Sequence, residues 1–439
     1  MAATPFHVII IGGGIGGLCL AQGLKQSGIS VAVYERDRTR TDRLQGYRIH
    51  INPVGSRALH ECLPVDLYDT FAATTGKSGS GFNFYSEQLH QLLTIDTDNP
   101  DATPDPVNSH KSVSRITLRQ ALLAGLEDVT HFDKRFTRYE NVPDGTVVAH
   151  FEDGTTATGT VLVAADGANS RVRAQYLPQA ERVETGILTV IGKAPLTAEV
   201  RALLPARLFD GPASIMAPRG RMMFIAVQEF RHTPERGAAI GGDDDIAALY
   251  PGLLFDNTTD YVMWAFGAKR EKWPVIGDLE AMDGSALQRV ILDLAQGWHP
   301  SLRRLIKASD PFAMVPTPIR TSMPVPQWES TCVTLLGDAI HSMTPFRGIG
   351  ANIALRDAAI LRRELVAAGG GDKVLLIAIH DYETAMVEYG FAAVRDSLKA
   401  AKQAVMDNPV SLAMMKTAFR IMNVLPPVKR RVFSDMGNA

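Results

Sequence analysis

The run FHVIIIGGGIGGLCLAQGLKQSGISVAVYERD at residues 6–37 constrains the fold more than any other stretch of the chain. Residues 7–11 (HVIII) are almost wholly apolar and β-branched, as a strand buried on both faces requires. Gly12, Gly14 and Gly17 then fall at G-x-G-x-x-G spacing, inside the loop Gly12-Gly13-Gly14-Ile15-Gly16-Gly17, and residues 18–26 keep helical apolar periodicity. Gly28 stops that helix, residues 29–34 give a second apolar strand, and Glu35 closes it 18 residues after Gly17. In such a unit one glycine makes the tight turn, one lets a pyrophosphate approach the backbone, and one lets helix pack on strand. The helix N-terminus offers free N–H groups and a positive dipole end, and the acidic residue can take a ribose 2′-hydroxyl. Strand, helix, strand and Glu35 in register point to an adenine dinucleotide.

Length and composition bound the rest. At 439 residues the chain exceeds one ordinary domain. A hydrophobic content of 46% and a charged content of 21% are those of a globular protein. The net charge of −2 leaves no basic excess for nucleic acid. Cys19, Cys62 and Cys332 are dispersed without metal-like spacing, so they read as reduced structural thiols of a cytoplasmic protein, with no metal. The apolar start lacks the basic flank of a signal peptide, and no stretch reaches the roughly 18–20 apolar residues of a membrane span.

Further along, residues 39–46 read as a mobile loop carrying Arg40 and Arg43, and residues 46–51 (GYRIHI) alternate as a strand should. Residues 54–62 predict a short helix, and residues 82–85 with 89–95 a hairpin. Residues 114–126 predict a helix with Ser114 as N-cap, and residues 132–151 two strands. Another buried strand at 159–164 leads into Ala165-Asp166-Gly167-Ala168-Asn169-Ser170-Arg171-Val172-Arg173. The stretch 183–270 turns mainly β, with strands expected at 186–192, 213–217, 221–229 and 261–267 and a turn at 241–245. Residues 287–307 are helical, and 311–326 form an extended crossing back. A third buried strand at 331–336 precedes Gly337-Asp338 and the glycine loop through Pro345, Gly348, Gly350, Ala351 and Asn352, from which a helix continues. Asp338 thus stands at the carboxyl end of a strand, where open α/β sheets bind ligands.

Together these three segments resemble the class A flavoprotein monooxygenases, the aromatic hydroxylase family. That family carries G-x-G-x-x-G near the N-terminus, ADG-x-x-S-x-V-R in mid-chain and GDA-x-H…P…G-x-G-x-N late. All three stand here in order, bracketing residues 6–365. The resemblance implies an α/β fold: a Rossmann-like, three-layer FAD-binding domain (1–180 and 311–375), an inserted mainly β substrate domain (181–310) and C-terminal helices (376–439). It implies that Gly12, Gly14, Ile15, Gly16, Gly17, Glu35 and Arg36 hold the ADP half of FAD. Arg115, in an R-x-x-L-R pattern, reaches the cofactor. Asp166 belongs to a segment associated with both FAD and NADPH. Gly337 and Asp338 meet the ribityl chain, Pro345 shapes the wall beside the ring, Gly348 and Gly350 let backbone approach a flat ligand closely, and Gly350, Ala351 and Asn352 present backbone to the isoalloxazine.

The chemistry so implied is reduction of the flavin by NADPH or NADH, addition of O₂ at C4a, and attack of the hydroperoxyflavin on an electron-rich carbon. His341 in the late segment has a structural role in this motif. A halogenase or oxidase on the same fold, or a non-catalytic flavin-binding protein, is the alternative; the W-x-W-x-I-P signature of halogenases is missing. The substrate pocket is expected between flavin and β region. Residues 186–193 (GILTVIGK) lack the arginine that many family members use to bind a phenolate. Met216, Met222, Met223, Phe224, Met263 and Trp264 are candidates for a broad apolar pocket, which favours a bulky aromatic or polycyclic substrate of secondary-metabolism type.

Two charged candidates fall outside the three motifs. Arg48 and His50 lie two apart in an alternating strand, so they share one face. They either sit at a solvent edge or meet the cofactor, and cofactor contact is favoured because an unpaired charge is costly on an apolar face. The last 60 residues carry two helical runs, with Lys416, Arg420, Lys429, Arg430 and Arg431 among apolar residues. They read as helices packed across the two domains of a monomer or homodimer rather than as a membrane-surface element.

Overall fold

The computed structural model describes residues 6–39, 47–76, 81–96, 105–143, 145–230, 260–274, 279–425 and 429. Arg40, Arg43, the turn at 241–245, Arg430 and Arg431 lie outside the described residues. A five-stranded sheet runs in the order Val333–Leu335, Val161–Ala164, His7–Ile11, Ser30–Tyr34 and Thr130–His131, parallel throughout. Val8 to Ile11 and Val161 to Ala164 are buried on both faces, which is why their sequences do not alternate. Helices Ile15–Gln26 and Gly350–Gly369 pack together beside this sheet. The antiparallel strands Phe136–Asn141, Val147–Phe151 and Thr156–Gly159 add a further layer, with Tyr34 stacked on Phe151 at 4.8 Å. This is a three-layered α/β fold.

The second large sheet has seven strands: Val315–Ser322, Arg182–Pro195, Tyr261–Lys269, Arg221–Gln228, Ala213–Ala217, Gly81–Ser86 and Gln91–Asp96. It therefore draws on the segments before 181 and after 310, which the sequence assigns to the first domain. The hairpin at 81–96 joins because Gly81–Ser86 pairs in parallel with Ala213–Ala217. Val315–Ser322 is an edge strand, the one place where Pro316 and Pro318 cost the ladder nothing. Helices Gly284–Leu294 and Pro300–Lys307 cover one face of this sheet. The single helix expected at 287–307 is broken because Gly297 takes φ +82° and Pro300 starts a new helix.

Helix Val65–Thr74, unforeseen in the sequence, packs on Arg115–Leu123. Leu375–Ala404 lies along Gly350–Gly369 and ends against the seven-stranded sheet, where Ala401 and Val405 meet Ile187, Met222 and Ile319. Pro409–Val424 then lies over Gln91–Asp96, with Leu412, Met415 and Phe419 beside Leu92 and Met216 and with Lys416 paired to Glu87 at 2.6 Å. Among the described residues, no helix is long and apolar enough to cross a membrane.

Candidate active site

The glycine loop behaves as its spacing demands. Gly12 takes φ +112°, and a Cβ there would lie 2.3 Å from the Ala165 carbonyl oxygen. A Cβ at Gly17 would come within 2.3 Å of the Gly12 oxygen, so this residue permits the close packing of helix on strand. Gly14, the N-cap of Ile15–Gln26, has nothing within 4 Å of its missing Cβ and no side-chain cap. The open space beside uncapped N–H groups is what an incoming diphosphate needs. Ile15 and Gly16 start that helix, Gly16 pressed against Leu336 and Ala354. Glu35 is buried; its Oε2 accepts from the Gly13 N–H at 2.7 Å and its Oε1 from the Asp37 N–H at 2.9 Å. Arg36 is exposed.

Arg115 is exposed, over the Tyr47 ring at 5.6 Å, and its charge reaches Asp338. Arg119, one turn on in the same helix, donates from Nε to the Gly13 carbonyl at 3.1 Å and lies 4.0 Å from Glu35. It was missed in the sequence although it is the second arginine of R-x-x-L-R, and positions four apart on a helix share a face.

The middle and late segments meet at the carboxyl ends of the first strands. Asp166 accepts at Oδ2 from the Arg171 N–H at 2.8 Å, while its Oδ1 is buried without a partner among the described residues. Burial raises its pKa, against the pull of Ser170 and the local N–H groups. Arg173 ties the two segments together, donating to the Ala339 carbonyl at 2.8 Å and the Ala168 carbonyl at 3.1 Å. Gly337 turns with φ +63° and leaves Asp338 exposed at the carboxyl end of the strand Val333–Leu335. Protein crowding around that carboxylate raises its pKa through desolvation, while His341, Arg182 and Arg115 pull it down.

His341 is turned to Asp357: its Nε2 lies 2.7 Å from Asp357 Oδ2, which also accepts from the Gly337 N–H at 2.8 Å. Burial opposes the charged imidazole, yet Asp357 outweighs it and raises the His341 pKa. Past Pro345, which is exposed to the cleft, Gly348 adopts the left-handed conformation, φ +64°. Helix Gly350–Gly369 then starts without any side-chain cap, leaving the N–H groups of Gly350, Ala351 and Asn352 at its first turn. The Asn352 side chain is not directed at a ligand. It bonds the backbone of His50 and Asn52 at 2.9 and 2.8 Å.

Arg48 and His50 do share a face, in the strand Arg48–Ile51 paired with Lys111–Ser114. The solvent-edge alternative for Arg48 does not hold, because its side chain is buried at 9% exposure. Its Nε donates to Ser112 Oγ at 2.5 Å, and Ser112 Oγ donates to Gln228 Oε1 of the seven-stranded sheet at 2.5 Å. Burial lowers the Arg48 pKa to about 10, offset in part by Tyr261. His50 Nε2 lies 2.9 Å from His110 Nδ1. Burial, then the charges of Arg48 and His110, lower its pKa to about 3, so it is neutral near pH 7.

The two faces of the seven-stranded sheet separate the pocket candidates. Met222, Phe224, Met263 and Met216 lie on the face opposite the helices at 284–307; Met222 and Met216 are buried there by the C-terminal helices, whereas Phe224 and Met263 are partly exposed, with Ile191 and Ala265 beside them. Phe346 of the late loop packs against the Ile187 and Met222 end of this face. Met223 and Trp264 point the other way and do not line the cleft. They are fully buried against the helices, and Trp264 Nε1 donates to Ser309 Oγ at 2.7 Å. Strand alternation fixes that adjacent residues diverge, but only the helices at 284–307 decide which face is interior. Among the described residues, no cluster of His, Cys, Asp or Glu could hold a metal.

A glycine turn with open space at a helix N-terminus, an exposed acid at a strand end and a second uncapped helix N-terminus gather at the carboxyl ends of the parallel strands, an arrangement suited to a dinucleotide. Residues 5–261 and 294–387 match the family described as an FAD binding domain, and the chain belongs to it, as a class A flavoprotein of the aromatic hydroxylase family. It is 32% identical over 401 residues to the dual O-methyltransferase/FAD-dependent monooxygenase elcB of Phaeosphaeria nodorum, a match covering 85% of this chain and 41% of that relative. The chain thus spans less than half the length of that relative. With the 6-hydroxynicotinate 3-monooxygenase of Pseudomonas fluorescens it shares 26% identity over 386 residues, 87% of this chain and 88% of the relative. A candidate FAD-containing monooxygenase from Photorhabdus luminescens superposes with a TM-score of 0.79 at 36% identity, covering 91% of this chain and 98% of that one.

Proposed function

We propose that this chain is an FAD-dependent monooxygenase that uses NAD(P)H and O₂ to hydroxylate or epoxidise a bulky aromatic or polycyclic small molecule of secondary-metabolite type. The observation that carries this reading is a juxtaposition: Phe346 of the flavin-side loop packs into the apolar cluster of Ile187, Met222, Ile319, Ala401 and Val405, from which the partly exposed apolar positions of the sheet face continue. A flat substrate lying on that face is thereby brought beside the ring site. The names of the relatives support the same activity.

FAD bound here would supply the redox chemistry: with two electrons from NAD(P)H, one oxygen atom of O₂ would enter the substrate and the other would leave as water. This chain's residues bind, orient and exclude water. Gly12 and Gly14 admit the diphosphate to the helix N-terminus, and Asp338 accepts from a polyol hydroxyl. The first-turn N–H groups of Gly350, Ala351 and Asn352, left without a side-chain cap, would hold the ring's polar edge. Phe224, Met263 and Ile191 offer an apolar floor that keeps solvent from the reacting carbon.

Purified protein is expected to carry noncovalent FAD and to oxidise NADPH faster with a suitable aromatic polyketide or alkaloid. The product should gain one oxygen atom from ¹⁸O₂. Absence of bound flavin, or label entering from water instead, overturns the proposal.

A further inference from the structure

The open face of the seven-stranded sheet is graded from one end to the other. At one end Ile187, Met222 and Phe346 are apolar. Phe224, Ala265, Ile191 and Met263 continue the floor as partly exposed apolar positions. At the other end stand Tyr261 and Gln228, paired directly across their strands. From Gly267, which pairs with Met222, to Tyr261 is six residues of strand, about 20 Å.

The polar end gathers donors. Tyr261 is 1% exposed, and its hydroxyl has no hydrogen-bond partner among the described residues. Gln228 is fully buried, and its Nε2 likewise has none. The Arg48 guanidinium is near enough for its charge to act on Tyr261, and Nε is the one nitrogen it has engaged among the described residues. No carboxylate among them pairs with Arg48. The Lys193 ammonium lies 3.9 Å over the Tyr261 ring and brings a second positive charge to the same corner. A buried cation without a counter-charge costs several kcal/mol. Unpartnered donors around it add to that cost unless an incoming acceptor completes the set.

We propose that the substrate is an elongated polycycle with an oxyanion at one end, and that Arg48 and Tyr261 seat that oxyanion at the end of the floor remote from Phe346. The arrangement supplies from a different strand pair the arginine that residues 186–193 lack. Arg48 then selects substrate, and its bond through Ser112 to Gln228 holds the guanidinium over the floor. The proposal takes the identity of the cleft from the monooxygenase reading but needs no turnover for its test.

The FAD-loaded full chain is titrated with anthracene-2-carboxylate and its methyl ester, following the perturbation of flavin absorbance. The carboxylate is expected to bind roughly tenfold or more tightly than the ester. Arg48→Met should erase that preference while leaving ester affinity unchanged, and Tyr261→Phe should narrow it. Titration of 2-hydroxyanthracene across its ionisation tests the other source: tightening as the phenol ionises, absent in Arg48→Met, identifies a phenolate as an acceptable oxyanion. An unchanged carboxylate preference in either variant overturns the proposal, as does equal loss of both ligands or loss of flavin from Arg48→Met. Anion preference without any oxygenated product counts against the monooxygenase reading alone.

Discussion

Asn352 holds the backbone of His50 across the cleft: its Nδ2 donates to the His50 carbonyl at 2.9 Å while its Oδ1 accepts from the Asn52 N–H at 2.8 Å. Both ends of the amide are used, and the residue is buried at 1% exposure. The pair fixes the Arg48–Ile51 strand against the start of helix Gly350–Gly369. Asn352→Ala leaves two buried backbone groups unpaired and should cost about 1–3 kcal/mol of stability. Flavin affinity should fall as well, because the first-turn N–H groups lose their register against the ribbon. Denaturant unfolding and flavin titration of the same preparation check both effects.

Gly14 and Gly17 separate binding from folding. A methyl at Gly14 enters open space, whereas at Gly17 it meets the Gly12 oxygen at 2.3 Å. Gly14→Ala should therefore leave the thermal unfolding of the flavin-free chain within about 0.5 kcal/mol of the parent and weaken FAD by roughly tenfold or more. Gly17→Ala should destabilise the flavin-free chain itself. If Gly14→Ala binds FAD as the parent does, the diphosphate does not pass over this glycine.

Asp338 sits where function opposes stability. Its pKa is raised by desolvation, so the folded chain disfavours the ionised form, and stability is lost as pH rises above about 3.9, the ordinary value for aspartate. Asp338→Asn should relieve that cost in the flavin-free chain. It should at the same time remove a charge-assisted acceptor worth about 1.5–3 kcal/mol to the cofactor. Opposite changes in melting temperature without FAD and in FAD affinity are the expected signature; a fall in both contradicts it.

His341 and Asp357 give the late loop a pH dependence of the opposite kind. The His341 pKa is raised in the folded chain despite burial, through Asp357 at 2.7 Å. The charged pair therefore contributes its full stability below about pH 6.5, the ordinary value for histidine. That contribution is lost as pH rises through the folded value. Parent and His341→Asn should differ most in unfolding free energy at pH 6 and converge towards pH 9. A difference that grows with pH is incompatible with this pair.

The FAD-binding half was legible because its signals are local. The strand at 7–11, the glycines and Glu35 lie within one continuous βαβ unit, and buried parallel strands announce themselves by unbroken apolar runs. The substrate half was less so, because its determinants are pairings between distant segments. Nothing in residues 81–96 reveals that they join Ala213–Ala217, and nothing in residues 46–51 reveals that Arg48 meets Ser112 and, through it, Gln228. Asn352 was recognised by motif as a backbone donor, but the engagement of its side chain with His50 and Asn52 requires the fold.

Trp264 and Phe224 test the assignment of faces. Trp264 is fully buried beneath the sheet, flat against Gly192, where a Cβ would come within 2.2 Å of the indole. Its Nε1–H bonds Ser309, and the Phe266, Trp273 and Trp298 rings lie in the same core. Trp264→Ala should cost about 3–5 kcal/mol through cavity and lost packing, with no selective change in which substrates bind. Phe224 is partly exposed on the open face, 6.4 Å from the Phe82 ring. Phe224→Ala should cost less stability and change the relative affinities of anthracene-sized and naphthalene-sized ligands, since it removes floor rather than foundation. Urea unfolding and ligand titration on both variants decide the matter. If Trp264→Ala alters ligand size preference while Phe224→Ala does not, the cleft lies on the helix-covered face and the floor described above is the wrong side of the sheet.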